Sequence, residues 1–374
     1  RTKFSIFYDK KFPYSNALLN QTIQLDLPIP TNLIQQLKTK PAINEQHLKK
    51  YLSQLRQYAY IPHFTLSKIS HLLHHVIFRN TGNKQLADIL TGINVNHSSS
   101  TAYSHYPIAT LHHHYLKVLE NICRPLATLY PPNHQDKEQN FGSGKGLKPQ
   151  IVNNIFSTLK YKIFSTPEND WIHIFNYYNL WMWHFLLLFT AARPVQDFPG
   201  FLKHIDLQRQ IMMISDKENA GRHGDGRVIP LCDFATQEIK KFLQFLDFIK
   251  MKMKFLQPHI YEEIDATLKS NRPLLNIYIN NRLISLNASL VKQQQPELGL
   301  EYANWHRHTV RAFLTQKISE PHILALFGHE EQQQEAAHLY SSFSMSTYKQ
   351  LAIHLESMKE YFNISGIEVH AICQ

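Results

Sequence analysis

Asp170 to Arg193 reads DWIHIFNYYNLWMWHFLLLFTAAR, and the way this stretch folds decides the rest of the chain. It is rich in aromatic and aliphatic residues throughout, which predicts a nearly buried helix that delivers Arg193 at its end, where Pro194 stops it or forces a turn. Its longest apolar run, Leu180 to Ala192, contains His184 and falls far short of the ~20 residues that a membrane-spanning helix needs. No membrane is therefore expected as a partner. At 374 residues the chain is too long for one compact core and divides most naturally into two or three domains. A hydrophobic fraction of 43% supports globular folding. Lys and Arg total 39 against 29 acids, a net charge of +10 before any of the 23 histidines is counted. Such a surface attracts a polyanion, with nucleic acid first in line. Cys123, Cys232 and Cys373 are odd in number and scattered, which fits a reducing cytosol better than a disulfide framework.

Downstream of the helix, Ile205 to Ser215 and Gly226 to Leu231 are short β-type runs. They bracket a loop containing Lys217, Asn219, Gly221 and Gly224, and so read as a hairpin with a long tip. Thr236 to Lys254 is amphipathic, and His308 to Ile318, Pro321 to Phe327 and Glu335 to Phe343 are further helical pieces. Upstream, residues 131–149 are polar, with three glycines and three prolines between Pro131 and Pro149, and form the best linker. Residues 41–130 carry helical spacing at Leu48, Leu52 and Leu55, at Ile69, Leu73 and Ile77, and at Leu111, Tyr115 and Val118. Residues 1–40, with Pro13, Pro28 and Pro30, read as an extended N-terminal segment. The expected architecture is thus mainly α with a small antiparallel β-sheet: an extension, a helical domain, a linker, and a second domain over residues 150–374 that ends in a C-terminal helix.

Near the carboxyl end stand His308-Thr309-Val310-Arg311, Gly328-His329 and Tyr340. With Arg193 they supply two fixed cations, two imidazoles and a phenol. A phosphodiester attacked at phosphorus gathers charge on its non-bridging oxygens, so preorganised guanidiniums, Arg193 and Arg311, stabilise its transition state. A tyrosine of pKa ~10 needs a base or a cationic site to become a nucleophile. His308 lies one helical turn from Arg311 and shares its face. The leaving 5′ oxygen needs a proton, and Lys217, the one lysine between His204 and Lys240, is placed to bring it on the hairpin. Each residue alone has an ordinary structural reading as a cap, a solvated cation or a packed aromatic; the ordered set is what carries the chemistry.

In that order, over about residues 165–345, the chain resembles the tyrosine recombinases of the phage integrase family. These carry an arginine after a buried helix, a hairpin lysine, a His-x-x-Arg box, a Gly-His (or Trp) and a C-terminal tyrosine. The matching residues are Arg193, Lys217, His308 with Arg311, His329 and Tyr340. The sequence departs from the family's Thr-Gly-x-Arg-x-x-Glu, reading Thr190-Ala191-Ala192-Arg193-Pro194-Val195-Gln196-Asp197, so Asp197 is the candidate acid. Arg222 competes with Lys217, and Tyr348 competes with Tyr340. Shifting the box to His306 would put Thr309 in the arginine's place. The resemblance implies a core-binding domain and an α+β catalytic domain clamping double-stranded DNA, cleavage through a 3′-phosphotyrosyl link, no cofactor and no metal, a homotetramer on paired sites, and a cytoplasmic, nucleoid-associated protein. The alternatives are a type IB topoisomerase or telomere-resolvase activity, or an inactive DNA-binding protein. His74-His75 and His112-His113-His114 lack zinc-type spacing. Leu351, Leu355, Met358 and Phe362 form an apolar stripe that suits either a neighbouring protomer or the chain's own domain.

Overall fold

The computed structural model describes residues 2–3, 24–25, 27, 45–58, 63, 65–92, 103–122, 140–215, 226–296, 303–315, 317–329 and 344–372. Lys217, Arg222 and Tyr340 lie outside them. The described chain is mainly helical, with small antiparallel sheets. It separates into two compact units whose boundary falls between Ser143 and Gly144.

In the first unit, β1 (Thr2–Lys3) pairs with β2 (Gln24–Leu25). The helices are α1 (Glu45–Tyr58), α2 (Leu66–Ser70), α3 (Leu72–Thr81), α4 (Lys84–Thr91) and α5 (Ile108–Ile122). β3 (His105–Pro107) pairs antiparallel with β4 (Asn140–Gly142). Asn83 caps α4, accepting from Leu86 N at 2.9 Å. The core is Ile77, Leu86, Ile89 and Leu90 against Tyr106, Leu111, Val118 and Phe141. Of the apolar positions read from periodicity, Leu52, Ile77 and Leu111 are buried, whereas Ile69 is exposed. Part of the stretch read as a linker is built into this unit: Phe141 is fully buried, and Gly142, at φ +134°, lies where a Cβ would strike the Ser104 carbonyl.

The second unit opens with α6 (Pro149–Ser165) and α7 (Trp171–Thr190). There follow β5 (Ile205–Asp206), β6 (Ile211–Ile214), β7 (Arg227–Pro230), α8 (Asp233–Leu256), α9 (Pro258–Leu268), β8 (Asn276–Ile279), β9 (Arg282–Ser285) and α10 (Ala288–Gln294). Last come α11 (Trp305–Leu314), α12 (Glu320–Phe327), α13 (Met345–Glu356) and α14 (Met358–Tyr361). The expected hairpin is present as β6 and β7, with β5 alongside. A second hairpin, β8 and β9, turns through Asn280 and Asn281 at φ +51° and +61°, the left-handed backbone of a tight hairpin turn.

α7 is the axis of this unit. Every residue from Tyr178 to Thr190 is buried, and its aromatic side chains meet Phe234, Phe242 and Phe245 of α8. Its two asparagines satisfy β8: Asn176 donates to the Tyr278 carbonyl and accepts from its amide, and Asn179 accepts from the Asn276 amide. The stripe Leu351, Leu355, Met358 and Phe362 is buried within the chain, at 3% exposure or less, so packing on its own domain accounts for it. Among the described residues no helix is long and apolar enough to cross a membrane.

α7 ends at Ala191, left-handed at φ +50° and fully buried, in the place where the family pattern has glycine. For an L-residue that conformation costs roughly 1–2 kcal/mol. Ala191→Gly relieves it, but it also removes a buried methyl worth about 0.8 kcal/mol and loosens the unfolded chain by ~0.4–1 kcal/mol. The net stability should stay within about 1 kcal/mol of the native protein. Ala191→Val adds volume to a closed site and should lose about 2 kcal/mol or more. All four tryptophans, Trp171, Trp181, Trp183 and Trp305, lie in this unit, so urea unfolding followed by tryptophan fluorescence reads it directly; equal midpoints for the two variants would refute the strain.

Candidate active site

Three chain ends meet at one buried guanidinium. α7 ends at Ala191 and the chain turns to present Arg193, which is half-buried. α12 ends in a Schellman motif: Gly328, at φ +60°, donates to the Ala325 carbonyl at 3.2 Å, and His329 donates to Leu324 at 3.0 Å. The Gly328-His329 pair is therefore a helix terminator and, by the same geometry, a presenter of imidazole. Arg307, in the first turn of α11, is fully buried. It donates to the Ala191 carbonyl at 2.6 Å and to the Phe327 carbonyl at 2.8 Å.

Arg307 Nη2 also lies 3.1 Å from His329 Nε2, and Arg193 Nη2 lies 3.4 Å from the same nitrogen. A guanidinium has only donors, so Nε2 is the acceptor and the ring proton belongs on Nδ1. Arg227, the first residue of β7, closes the neighbouring side by donating to the Leu326 carbonyl at 3.0 Å, with its guanidinium against Gly328. The end of the β6–β7 hairpin is thus anchored at the same helix terminus.

Arg311, read from the sequence as the second phosphate clamp, stands elsewhere. Its Nη2 lies 2.7 Å from both carboxylate oxygens of Glu320, and both side chains are buried. That ion pair joins α11 to α12 and cancels the charge which the phosphate role requires. The arginine placed beside Arg193 and His329 is Arg307, and counting back along the His-x-x-Arg box from Arg307 reaches Asn304. The signal for this was present in Arg307 itself, but the box spacing gave no reason to choose it over Arg311.

His308 is buried, and its pKa is pushed down to about 3, first by burial and then by the charges of Lys145 and Arg307. It is a neutral imidazole at pH 7. Lys145, missed by the sequence reading, therefore belongs to the surroundings of the site. Asp197 accepts from Gln196 at 2.9 Å. Tyr348 is half-buried on α13.

Behind Arg307 lies a buried imidazole pair. His184 Nε2 donates to Gln295 Oε1 at 2.8 Å, which leaves its Nδ1 to accept from His306 Nε2 at 2.9 Å. His306 stacks on Trp305 with ring centres 3.7 Å apart. Burial holds His184 down to about 4, while burial and the neighbouring His184 keep His306 well below its ordinary value. Among the described residues no group of three or more His, Cys, Asp or Glu is placed to hold a metal ion. The chain matches no protein-family model and no curated protein.

Two expectations follow. Glu320→Ala strands a buried guanidinium and should cost about 3–5 kcal/mol. The double change Arg311→Met with Glu320→Leu should recover most of that loss in urea melts, and strict additivity of the single changes would count against a coupled pair. Second, His184, His306 and His308 have folded pKa values below the unfolded value of about 6.5. Below that pH the unfolded chain binds protons that the folded chain refuses, so stability is complete above about pH 6.5 and falls toward pH 4, by up to ~1.4 kcal/mol per unit for each group. The urea midpoint should be lower at pH 5 than at pH 7, with a smaller drop in His306→Asn; a midpoint that rises at pH 5 would contradict the buried neutral imidazoles.

Proposed function

We propose that the chain is a site-specific DNA recombinase that cleaves and rejoins strands through a 3′-phosphotyrosyl intermediate. The observation that carries this reading is the convergence of Arg193 and Arg307 on His329 Nε2, at the joint of α7, α11 and α12. Arg193 donates to the His329 imidazole, Arg307 donates to it and to two backbone carbonyls, and the half-buried Arg193 is the one with access to solvent. An incoming non-bridging oxygen takes N–H donors that now point at the imidazole, while Arg307 adds its field from behind, where low polarity strengthens it. The net charge of +10 draws the duplex in.

In this mechanism the Tyr340 phenol releases its proton to solvent as its oxygen attacks phosphorus, and the bond to the 5′ oxygen breaks. The departing oxygen takes a proton from Lys217 and leaves as a 5′ hydroxyl. A second strand's 5′ hydroxyl reverses the step, so the bond energy is conserved in the protein–DNA link. His329 orients the phosphate together with the arginines. Tyr340 follows His329 by eleven residues. A chain of that length spans up to ~38 Å when extended, so the phenol is within reach of the site. Tyr348 sits on a helix whose Leu351 and Leu355 are locked in the interior.

The test is a nicked duplex, cut from the DNA flanking the gene, on which the covalent complex accumulates. The native chain should form it and Tyr340→Phe should not, while Tyr348→Phe retains it. Arg193→Ala and Arg307→Ala should each slow its formation about 10²–10³-fold. The folded double variant Arg311→Met with Glu320→Leu should still form it. A complex with Tyr340→Phe, or its loss only in the Arg311 double variant, would overturn the assignment.

A further inference from the structure

α8 and α9 meet at a corner with one residue, Gln257, between them. The corner is held from inside by Met253 and Ile260, both fully buried, while Met251, Phe255 and Leu256 are 55%, 87% and 66% exposed. Met251 and Phe255 are four residues apart and share a face of α8, with Leu256 beside them. A cluster of large apolar side chains is costly to leave in water, and the buried anchors keep this one from folding back onto the core.

The charge around the cluster is net positive. Lys252 and Lys254 are exposed, and among the described residues neither meets a carboxylate: Lys252 Nζ lies 5.7 Å from the centre of the Phe248 ring, and Lys254 Nζ lies 5.7 Å from that of Phe255. Of the neighbouring acids, Asp247 and Asp265 are held by Lys250 and Glu263 by Arg272, which leaves Glu262, an exposed residue of α9. Apolar side chains with ammonium groups at their rim complement an anionic surface that has an apolar interior.

Two observations choose among anionic partners. Phe185 and Phe189 of α7 pack on Phe234, whereas Tyr178 packs on Phe242 and Phe245, so α8 runs antiparallel to α7. Phe255 therefore lies roughly 30 Å along α8 from Phe234, away from the end of α7 that presents Arg193, and the corner stays open while that site is occupied. Size gives the second observation. Three side chains offer well under the ~800 Å² that each partner contributes to a specific protein interface, whereas a lipid interface takes an isolated apolar prominence with basic neighbours.

We propose that the α8–α9 corner inserts Phe255 and Leu256 into an anionic lipid surface, with Lys252 and Lys254 on the headgroup phosphates. The expectation of no membrane partner came from the lack of a spanning segment; no described helix is long and apolar enough to cross a membrane, and that leaves a surface contact open. The contact is independent of the recombinase reading.

The test uses the full chain and vesicles of phosphatidylcholine with or without phosphatidylglycerol, with bound protein measured by sedimentation. The native chain should bind the anionic vesicles. The double variant Phe255→Ser with Leu256→Ser keeps every charge and should bind about tenfold more weakly, because affinity follows the apolar area inserted. Lys252→Gln with Lys254→Gln should weaken binding to the anionic vesicles several-fold, whereas Lys269→Gln, which removes a lysine paired with Asp265, should not. Phe255→Trp reports insertion: brominated lipid should quench its indole, and the four native tryptophans, all buried, should stay unquenched. Equal thermal midpoints show that these exposed substitutions leave the fold intact. If the serine double variant binds like the native chain, the net charge of +10 accounts for the binding and the proposal fails. If Phe255→Trp binds without being quenched, the corner does not enter the bilayer and the proposal fails as well. A native chain that ignores anionic vesicles overturns it outright and leaves an acidic protein as the occupant.

Discussion

Arg307 occupies a position that few side chains tolerate: a fully buried cation whose acceptors are the last carbonyls of two helices. The Ala191 carbonyl closes α7 and the Phe327 carbonyl closes α12, so the negative ends of both helix dipoles point at one guanidinium. These dipoles and the direct hydrogen bonds offset the desolvation of the cation. Phe327 adds its ring face at 4.8 Å. Removing this interaction frees the C-termini of α7 and α12 from α11, and with them Arg193 and His329, so the geometry of the site and the packing of the domain are one constraint.

The contrast with Arg311 shows how burial decides roles. Both arginines belong to the same helix and both are closed off from water. Arg311 is held by the Glu320 carboxylate, whereas Arg307 donates to two backbone carbonyls and to the His329 imidazole. The Arg311–Glu320 pair still matters to the site indirectly, because it holds α12 in place and α12 carries Gly328 and His329. A buried pair of this kind contributes little net stability over an apolar replacement, so its effect is to fix orientation.

Much of the scaffold was legible. The saturated apolar content of 171–190 announced α7, and the alternation around 205–231 announced the β6–β7 hairpin. The β8–β9 hairpin was not assigned, although Asn280 and Asn281 between short apolar runs are a turn signal with a physical reason. α4 also escaped notice, because its apolar face is completed by Gln85 and Asp88, which are buried too. The choice between Arg307 and Arg311 was beyond periodicity altogether. Four residues advance a helix by about 40° past one turn, so the two arginines leave the axis in nearly the same direction. What separates them is Glu320 on one side and two helix ends on the other, and those are tertiary facts. The burial of His308 was hidden for the same reason, since the Gly144–Lys148 segment that flanks it is remote in sequence.

On the proposed recombinase reading, the neutral imidazoles bear on how a phenol would be activated. A general base must hold the proton it takes, and an imidazole pushed down to about 3 gives that proton up readily at neutral pH. Against a phenol of pKa ~10, such a group is a poor acceptor. His308 can orient a substrate oxygen but cannot by itself make a phenolate. On the recombinase reading, a developing phenolate would then be stabilised by the cations, Arg193 at the surface and Arg307 behind it. The burial that disables His308 as a base is supplied by the same packing that keeps Arg307 dry, so strengthening the field of the arginine and silencing the histidine are two results of one arrangement of α7, α11 and α12.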